Sequence, residues 1–372
     1  MKPTKRALLR FAWAALLLAG CAPPAKVPGA GDGQGDLAEW RRKIPIFDVH
    51  GHIDPESIDK TLRAMDANFI ARIVNLTAGS DVREFAAAKK EFDAKGGGRF
   101  VLYVNDVYEK VAVEDPDFGK KIASTIEEAV KLGAKGLKIS KSLGLFWRDA
   151  EKRIVPIDDP RLEPMWKACA KLGIPVSIHS GDPKAFWLPV DPKNERFDEL
   201  KDHPNWAFGG GKYPPREEIL RQLEHVVAKH PDVTFVGVHF GNDPEDVDHV
   251  AALLRQYKNY NVDIAARVPE IGRQNPDKLR ALFVEFQDRI LFGTDFMVFG
   301  EGYILGAGPV VQSEAEAKKF FDSHFRFLET DSRQMEHPTP IQGRWKIDAI
   351  HLPREVLEKV YFKNAERIIL KR

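Results

Sequence analysis

The fold of this chain is constrained most by a regular alternation of short apolar, β-branched segments with helical patterns. Eight segments have the character of β-strands, near residues 44–49, 71–77, 99–105, 135–140, 174–179, 233–239, 260–265 and 290–294. Helical patterns separate them, near residues 57–68, 81–94, 117–132, 160–172, 215–230, 244–257 and 276–287. Such alternation gives parallel strands joined by right-handed crossovers. Eight units predict an α/β fold of the closed (β/α)8 TIM-barrel type rather than an open doubly wound sheet.

Two of the predicted connections are much longer than a turn. Residues 181–215 follow the fifth strand and are rich in aromatic side chains, and residues 296–352 follow the eighth strand and include a helical pattern near 313–330. Long loops within a compact domain commonly form pocket walls or lids. Because strand-to-helix loops lie on the face where barrel active sites form, we expect these two segments to border the site. No dinucleotide-binding or P-loop motif appears in the sequence.

The N-terminus has the pattern of an export signal. A basic segment precedes a short apolar run that ends in Leu-Ala-Gly and Cys21, and this order resembles a bacterial lipobox. The domain prediction is a lipoprotein signal peptide at 1–20, a flexible Pro/Gly-rich tether at 21–41 and one barrel domain at 42–372. The resemblance implies lipidation of Cys21 and anchoring to a bacterial membrane, with the outer membrane favoured. An ordinary cleaved signal is the alternative.

Charge and cysteine content narrow the range of partners. The chain has 56 Lys and Arg residues against 55 Asp and Glu residues, and a net charge of +1 argues against nucleic-acid binding. Two cysteines exclude a disulfide scaffold. After residue 20 no apolar run approaches the length of a membrane span, so membrane attachment is expected only through the anchor. The expected partner is a small-molecule substrate, and the sequence leaves the oligomeric state open.

Histidines are concentrated at the ends of predicted strands. His50 and His52 follow the first strand, His179 ends the fifth and His239 ends the sixth, while Asp295 ends the eighth. A lone histidine at such a position is more often a core residue, but the carboxyl ends of barrel strands meet at one mouth. Imidazole and carboxylate groups gathered there are typical ligands of Zn²⁺ or a similar divalent ion.

The same segments carry a family resemblance. FDVHGH, SIHSGD, GVHFGN and LFGTD, in this order, resemble the amidohydrolase superfamily. Together with the ending LPREVLEKVYFKNAERIIL, they are similar to its amidohydrolase-related branch (amidohydrolase family 2), which includes aminocarboxymuconate-semialdehyde decarboxylase. The resemblance covers about residues 44–372. It implies one divalent ion, Zn²⁺ first and Mn²⁺ as the alternative, with these metal ligands: His50, His52, His179 and Asp295.

The resemblance also implies catalytic roles. His239 would orient or deprotonate the attacking water, and Asp295 would exchange protons with it. A binuclear relative would add a bridging lysine from the fourth strand, for which Lys138 is the candidate, although this branch usually lacks that lysine. Lys138 is otherwise a candidate for substrate binding, as are Arg148 and Arg267, which follow strands four and seven and have the fork geometry that holds a carboxylate.

Three functions remain open at this point, and the family resemblance adds a lactonase that works without metal. The leading prediction is a metal-dependent hydrolase that uses an activated water to cleave a C–N, C–O or lactone bond, because a divalent ion lowers the pKa of bound water from about 16 towards 7. The alternative is a non-oxidative decarboxylase of an aromatic or unsaturated acid. A non-catalytic binding lipoprotein ranks below both. Asp48 has the same parity as the histidine pair and is expected to order the ligands from beneath.

Overall fold

The computed structural model describes residues 34–300, 302–306, 308, 310–311 and 313–372. The predicted signal peptide and Cys21 lie outside the described residues.

Twelve strands are present among the described residues. They are β1 Ile46–Ile53, β2 Ile70–Asn75, β3 Phe100–Leu102, β4 Val104–Asn105, β5 Leu137–Ile139, β6 Val176–Ile178, β7 Phe235–Gly237, β8 Tyr260–Asp263, β9 Ile290–Leu291, β10 Phe296–Phe299, β11 Gly302–Leu305 and β12 Val310–Val311. The longer helices are Gln34–Arg41, Ile58–Ala67, Val82–Lys95, Phe118–Leu132, Glu163–Leu172, Arg216–Lys229, Val247–Gln256, Pro276–Glu285 and Glu314–Glu329. Shorter helical segments are Ser142–Leu145, Phe197–Asp202, Val238–Gly241, Val268–Gly272, Arg354–Glu358, Lys359–Lys363 and Asn364–Ile368.

The strands form a ring of eight parallel barrel strands. Parallel pairing runs from β1 through β2 to β3, and from β4 through to β9, with β3 and β4 forming the two halves of the third barrel strand. β9 and β10 are the two halves of the eighth barrel strand, which closes on β1. The Val49 amide donates to the Phe292 carbonyl at 2.9 Å, and the Asp295 amide donates to the His50 carbonyl at 3.0 Å. The predicted TIM barrel is confirmed.

Amphipathic helices cover the outside of the ring. Phe118–Leu132, for example, buries Phe118, Ile122, Ile126 and Ala129, a spacing that places them on one helix face. The helix ends at Gly133, whose φ of 114° is a left-handed conformation that favours glycine. The same combination of an apolar stripe and a defined end made these helices predictable from the sequence.

The C-terminal helix Asn364–Ile368 covers the amino-terminal end of the barrel. The Asn364 side-chain amide donates to the carbonyls of Gln287 and Ile290, at 2.8 Å each, beside the start of the eighth barrel strand. Ile368 belongs to a small apolar cluster with alternate residues of the strands, including Phe47. The open end of the barrel is therefore the one at which the strands finish.

The folded part begins earlier than the sequence predicted. Residues 34–41, assigned to the flexible tether, form a helix of 8 residues. The Arg41 guanidinium makes two hydrogen bonds of 2.8 Å to the Glu329 carboxylate, and the Trp40 ring lies 6.4 Å from that of Tyr361. This ion pair and ring contact fix a segment whose glycine-rich surroundings suggested only flexibility.

Both long connections contain secondary structure of their own. Residues 181–215 include the helix Phe197–Asp202 and a group of packed aromatic rings, with Phe208 centred 4.9 Å from Trp187 and 5.2 Å from Tyr213. After the eighth strand, β10 continues into the antiparallel strands β11 and β12 and then into Glu314–Glu329. Within the described ranges, no helix is both long and apolar enough to span a membrane.

Candidate functional site

A cavity of about 370 Å³ opens at the carboxyl ends of the barrel strands. Five side chains that the sequence singled out line it together: His50, His52, His179, His239 and Asp295. They come from the first, fifth, sixth and eighth barrel strands. The structure therefore brings the whole predicted group to one mouth.

The centre of this group is the carboxylate of Asp295. Its Oδ1 lies 3.5 Å from Nε2 of His50 and 3.3 Å from Nε2 of His52. This oxygen is buried and has no hydrogen-bond partner among the described residues. A buried carboxylate oxygen without a donor is costly, and two imidazole nitrogens facing the same point fit a shared cation. His50, His52 and Asp295 therefore suit a divalent metal ion.

The other two histidines differ in how their nitrogens are used. His239 places its Nδ1 2.8 Å from the Ala265 carbonyl, so that its Nε2 is left for the cavity. Its ring lies 4.8 Å from that of His50, and these two residues form a second potential ligand group with Asp263. His179 instead directs Nε2 at the Gly181 carbonyl, 2.9 Å away. Among the described residues, His179 belongs to neither ligand group, although its ring contacts His239.

Asp263 is a site residue that the sequence analysis missed. Its Oδ2 lies 2.9 Å from Nδ1 of His50, while Oδ1 accepts the backbone amides of His239 and Ala265 at 2.8 and 3.1 Å. One carboxylate therefore fixes both the imidazole of His50 and the backbone of His239. The available signal was an acidic residue at the end of the seventh strand, YNVD.

Asp48 has a different role from the expected one. It accepts hydrogen bonds from the His50 amide at 3.1 Å and from the Thr294 amide and hydroxyl at 3.1 and 2.6 Å. It therefore joins the backbones of the first and eighth barrel strands and, within the described ranges, makes no hydrogen bond to an imidazole ring. Asp263 makes the ring contact that was predicted for Asp48, because the seventh strand ends directly beside His50.

Burial keeps His50, His179 and His239 neutral. It lowers the pKa of His50 well below the ordinary range, and the neighbouring Lys138 charge lowers it further. Burial likewise lowers the pKa of His239, assisted by His179. For His179 burial outweighs the opposing effect of the Asp182 carboxylate and brings the pKa to about 4. Neutral imidazoles have the free lone pair that metal binding and proton abstraction both require.

The carboxyl groups of the site divide into two kinds. Burial raises the pKa of Asp295, but the neighbouring imidazoles of His52, His50 and His239 outweigh it, so the pKa lies well below the ordinary range. For Asp263, burial dominates and raises the pKa to about 7, although Lys138 opposes this. Asp295 is therefore the carboxylate that is ionised at neutral pH.

The backbone around the cluster is strained. His239, Phe240, Ala266 and Asp295 are non-glycine residues with φ of 56°, 54°, 53° and 64°. Each such left-handed conformation costs on the order of 1 kcal/mol and persists only where the surrounding structure enforces it. All four follow the ends of strands at the barrel mouth, as residues at a functional site often do.

The three predicted substrate-binding cations are placed differently. Lys138 is buried at the cavity floor, with Nζ 3.5 Å from Nε2 of His50. Arg267 also lines the cavity, and its nearest carboxylate is Asp182, at 3.5 Å. Arg148 is an incorrect prediction, because it is exposed, lies outside the cavity lining and donates to the Lys152 carbonyl at 2.7 Å. An antiparallel bridge pairs Arg148 with Ile154.

Lys141 connects the cavity floor to the aromatic segment after the fifth strand. Its ammonium group donates to Asp182 at 2.6 Å and lies 4.6 Å from the ring centre of Trp206. Burial raises the pKa of Asp182, but Lys141, His179 and Arg267 together outweigh it and hold that pKa well below the ordinary range. Lys141 thus links Asp182 at the cavity floor to Trp206 in the cavity wall, through an ion pair on one side and a cation–π contact on the other.

Comparison with known proteins agrees with this geometry. Residues 47–369 match the family described as Amidohydrolase (Amidohydro_2). The chain belongs to the amidohydrolase family. The match covers almost all of the barrel and both strands that carry the central ligand group, and it confirms the family resemblance seen in the sequence motifs.

Solved structures show the same fold at low sequence identity. An uncharacterized TIM-barrel protein from Bordetella bronchiseptica is 17% identical, with a TM-score of 0.53 over 88% of this chain and 98% of that one. A 5-carboxyvanillate decarboxylase from Sphingomonas paucimobilis is 13% identical, with a TM-score of 0.50 over 88% and 99% of the two chains. No curated protein gives a significant sequence match. Membership of the amidohydrolase family supports an enzyme that acts on a small molecule, without specifying the reaction.

Proposed function

We propose that this amidohydrolase-family protein is a metal-dependent hydrolase that cleaves a C–N, C–O or lactone bond of a small organic substrate. The observation that carries the proposal is the position of Asp295 Oδ1. This buried oxygen has no hydrogen-bond partner among the described residues and lies close to the Nε2 atoms of both His50 and His52. These residues, with His179, would hold one divalent ion, Zn²⁺ first and Mn²⁺ as the alternative. When bound, the ion supplies a hydroxide at neutral pH and polarises a substrate carbonyl.

The side chains around the ion would handle the protons. His239 has its Nδ1 engaged by the Ala265 carbonyl, so the neutral ring carries its lone pair on Nε2, facing the cavity. This nitrogen would take the proton of the attacking water and return it to the leaving group. Asp295 would orient the water through its second carboxylate oxygen. Asp263 keeps the imidazole ring of His50 and the backbone of His239 in position for both steps.

Decarboxylation of an unsaturated or aromatic acid is the second candidate, and one observation favours it. Arg267 and Lys138 are only 6% and 4% exposed, and their closest described side-chain partners are 3.5 Å away. Arg267 also donates to the Ala266 carbonyl at 2.9 Å, but neither cation has a carboxylate within 3 Å among the described residues. Buried cations without a close carboxylate fit a substrate carboxylate held within the cavity.

Replacing Arg267 with Gln tests carboxylate binding. If Arg267 holds a substrate carboxylate without taking part in the chemistry, we expect KM to rise about 10- to 100-fold, the loss for one charged hydrogen bond, with little change in kcat. The measurement is steady-state kinetics on an acidic substrate. Arg148→Gln, outside the cavity, is the matched control and should leave both constants unchanged. An equal loss of kcat and kcat/KM would instead assign Arg267 to the transition state.

The reaction itself can be distinguished by product. The purified chain, loaded with Zn²⁺ or Mn²⁺, would be incubated with amides, lactones and ¹³C-carboxylated aromatic acids, beside a sample stripped by a chelator. We expect metal-dependent acid release from an amide or lactone and no ¹³CO₂. Metal-dependent ¹³CO₂ would establish the decarboxylase alternative. A chain that binds metal and compounds from the panel without turnover would be the non-catalytic binding lipoprotein.

We also propose that the chain is exported and lipid-anchored at Cys21, with the periplasmic side of the outer membrane favoured. The lipobox-like sequence Leu-Ala-Gly-Cys supports this. Cys21→Ser is expected to abolish incorporation of labelled palmitate and to move the chain from the membrane fraction to the soluble fraction. Cys169→Ser, which changes a buried residue of the barrel, is the control and should keep the label. Membrane retention of the unlabelled Cys21 variant would contradict the proposal.

A further inference from the structure

A second polar region of the cavity surrounds Glu199. This residue lies on the helix Phe197–Asp202, lines the cavity and is 2% exposed. Its Oε2 accepts a hydrogen bond of 2.7 Å from Arg196, which fixes the carboxylate. Its Oε1 has no hydrogen-bond partner in the part of the chain that the structure describes. Because the side chain lines the cavity, this oxygen is left to face whatever occupies it.

Glu199 is not the only carboxylate that forms an ion pair with Arg196. The guanidinium of Arg196 also forms an ion pair with Glu270, and both side chains are fully buried. One buried cation therefore faces two buried carboxylates, although a single pair would already be neutral. An additional buried charge is costly unless it has a partner. Glu199 therefore shares its cation with Glu270, and its free Oε1 can take a further hydrogen-bond donor from a ligand.

Gln342 adds a second polar atom beside Glu199. It belongs to the short turn Pro340–Gln342, which packs against the helix Phe197–Asp202, and it is 1% exposed and lines the cavity. Its side-chain carbonyl oxygen accepts a hydrogen bond of 2.6 Å from the Thr339 hydroxyl. The NH₂ group of the same amide has no hydrogen-bond partner among the described residues and is available to donate to a ligand.

From these contacts we propose that Glu199 and Gln342 form a specificity subsite, in which Glu199 accepts a hydrogen bond from an N–H or O–H group of the substrate and the Gln342 NH₂ group donates one to it. The proposal rests on the proposed function, in that the occupant is taken to be the substrate. Together with the cations Arg267 and Lys138, the subsite defines the substrate class as a small carboxylic acid that also carries an amino or hydroxyl donor. A substrate without that donor leaves the buried carboxylate unpaired and is rejected.

The test uses two acids that differ only in the donor, 4-aminobenzoate and 4-methylbenzoate. Their dissociation constants would be measured by isothermal titration calorimetry on the full chain in detergent, once with Zn²⁺ and once after chelation. We expect the native chain to bind 4-aminobenzoate about tenfold more tightly than 4-methylbenzoate, which is the effect of one hydrogen bond to a charged acceptor. In Glu199→Gln, the amide oxygen remains with Arg196 and the NH₂ group faces the ligand, so the preference should disappear.

Glu195→Gln is the matched control, because Glu195 pairs with Arg273 outside the cavity and its change should leave the tenfold preference intact. If Glu199→Gln does not fold, Glu199→Asp, which withdraws the carboxylate by one methylene, is expected to reduce the preference. A native chain that binds both acids equally or binds neither, or a Glu199→Gln variant that keeps the preference, would overturn the proposal. Metal content, measured on the same samples, separately reports failure of the metal site.

Discussion

Replacing both His50 and His52 with alanine is expected to remove the bound divalent ion and to lower kcat by about 10⁴-fold or more. Both Nε2 atoms lie within 3.5 Å of Asp295 Oδ1, so the variant removes two of the three groups that define the centre of the site. Metal per chain would be measured by elemental mass spectrometry, and activity on the best substrate of the panel. About one Zn²⁺ or Mn²⁺ in the native chain, lost in the variant, is the expected result.

His225→Ala is the control for the effect of removing any histidine from the chain. His225 is exposed and hydrogen-bonded to Asp158, away from the cavity. The variant should keep native metal content and activity. Two metal ions per native chain would assign Lys138 to a bridging role in a binuclear site. Retention of the ion by the His50→Ala/His52→Ala variant would show that the ligands lie elsewhere and would overturn the metal-hydroxide mechanism.

Replacing Arg196 with methionine is expected to cause the largest loss of stability, about 3–5 kcal/mol in the free energy of unfolding. The change leaves Glu199 and Glu270 buried together without a cation, while the methionine retains most of the apolar volume. Urea denaturation followed by circular dichroism measures the effect. Arg273→Met, which breaks the more exposed pair with Glu195, should cost no more than about 1 kcal/mol.

A compensating variant separates charge from packing. Adding Glu199→Gln and Glu270→Gln to Arg196→Met removes every charge of the triad, and a neutral replacement of a buried ion group is often tolerated. We therefore expect most of the lost stability to return. If the triple variant is as unstable as Arg196→Met, then shape rather than unpaired charge explains the loss.

The barrel was predictable because its signals are local and repeated. Strand and helix patterns such as residues 117–132, observed as Phe118–Leu132, combine an apolar stripe with a terminal glycine. The first strand was predicted to end at residue 49 but continues to Ile53, because pairing with β10 extends it through the two histidines. The helix Gln34–Arg41 depends on Glu329, which is almost 300 residues away, and no local pattern indicates such a contact.

The sequence predicted which histidines and aspartate line the cavity, but not which atoms they contact. Their positions at the ends of strands determine only the first of these. Strand ends brought His50, His239 and Asp295 together, since parallel strands finish at one mouth. The exchange of roles between Asp48 and Asp263 depends on side-chain direction at an irregular stretch of β1, which spacing alone does not give. The prediction that Arg148 lines the cavity was wrong for a similar reason, because its position after a strand does not determine the direction of its side chain.

The left-handed residues at the barrel mouth set stability against activity. Glycine adopts such a conformation without strain, so a glycine at His239 or Asp295 would relax the backbone. Both side chains line the cavity, and the same substitution would remove a candidate catalytic group. Engineering this barrel for greater stability by placing glycine at its positive-φ positions would therefore work against the proposed chemistry at these two sites.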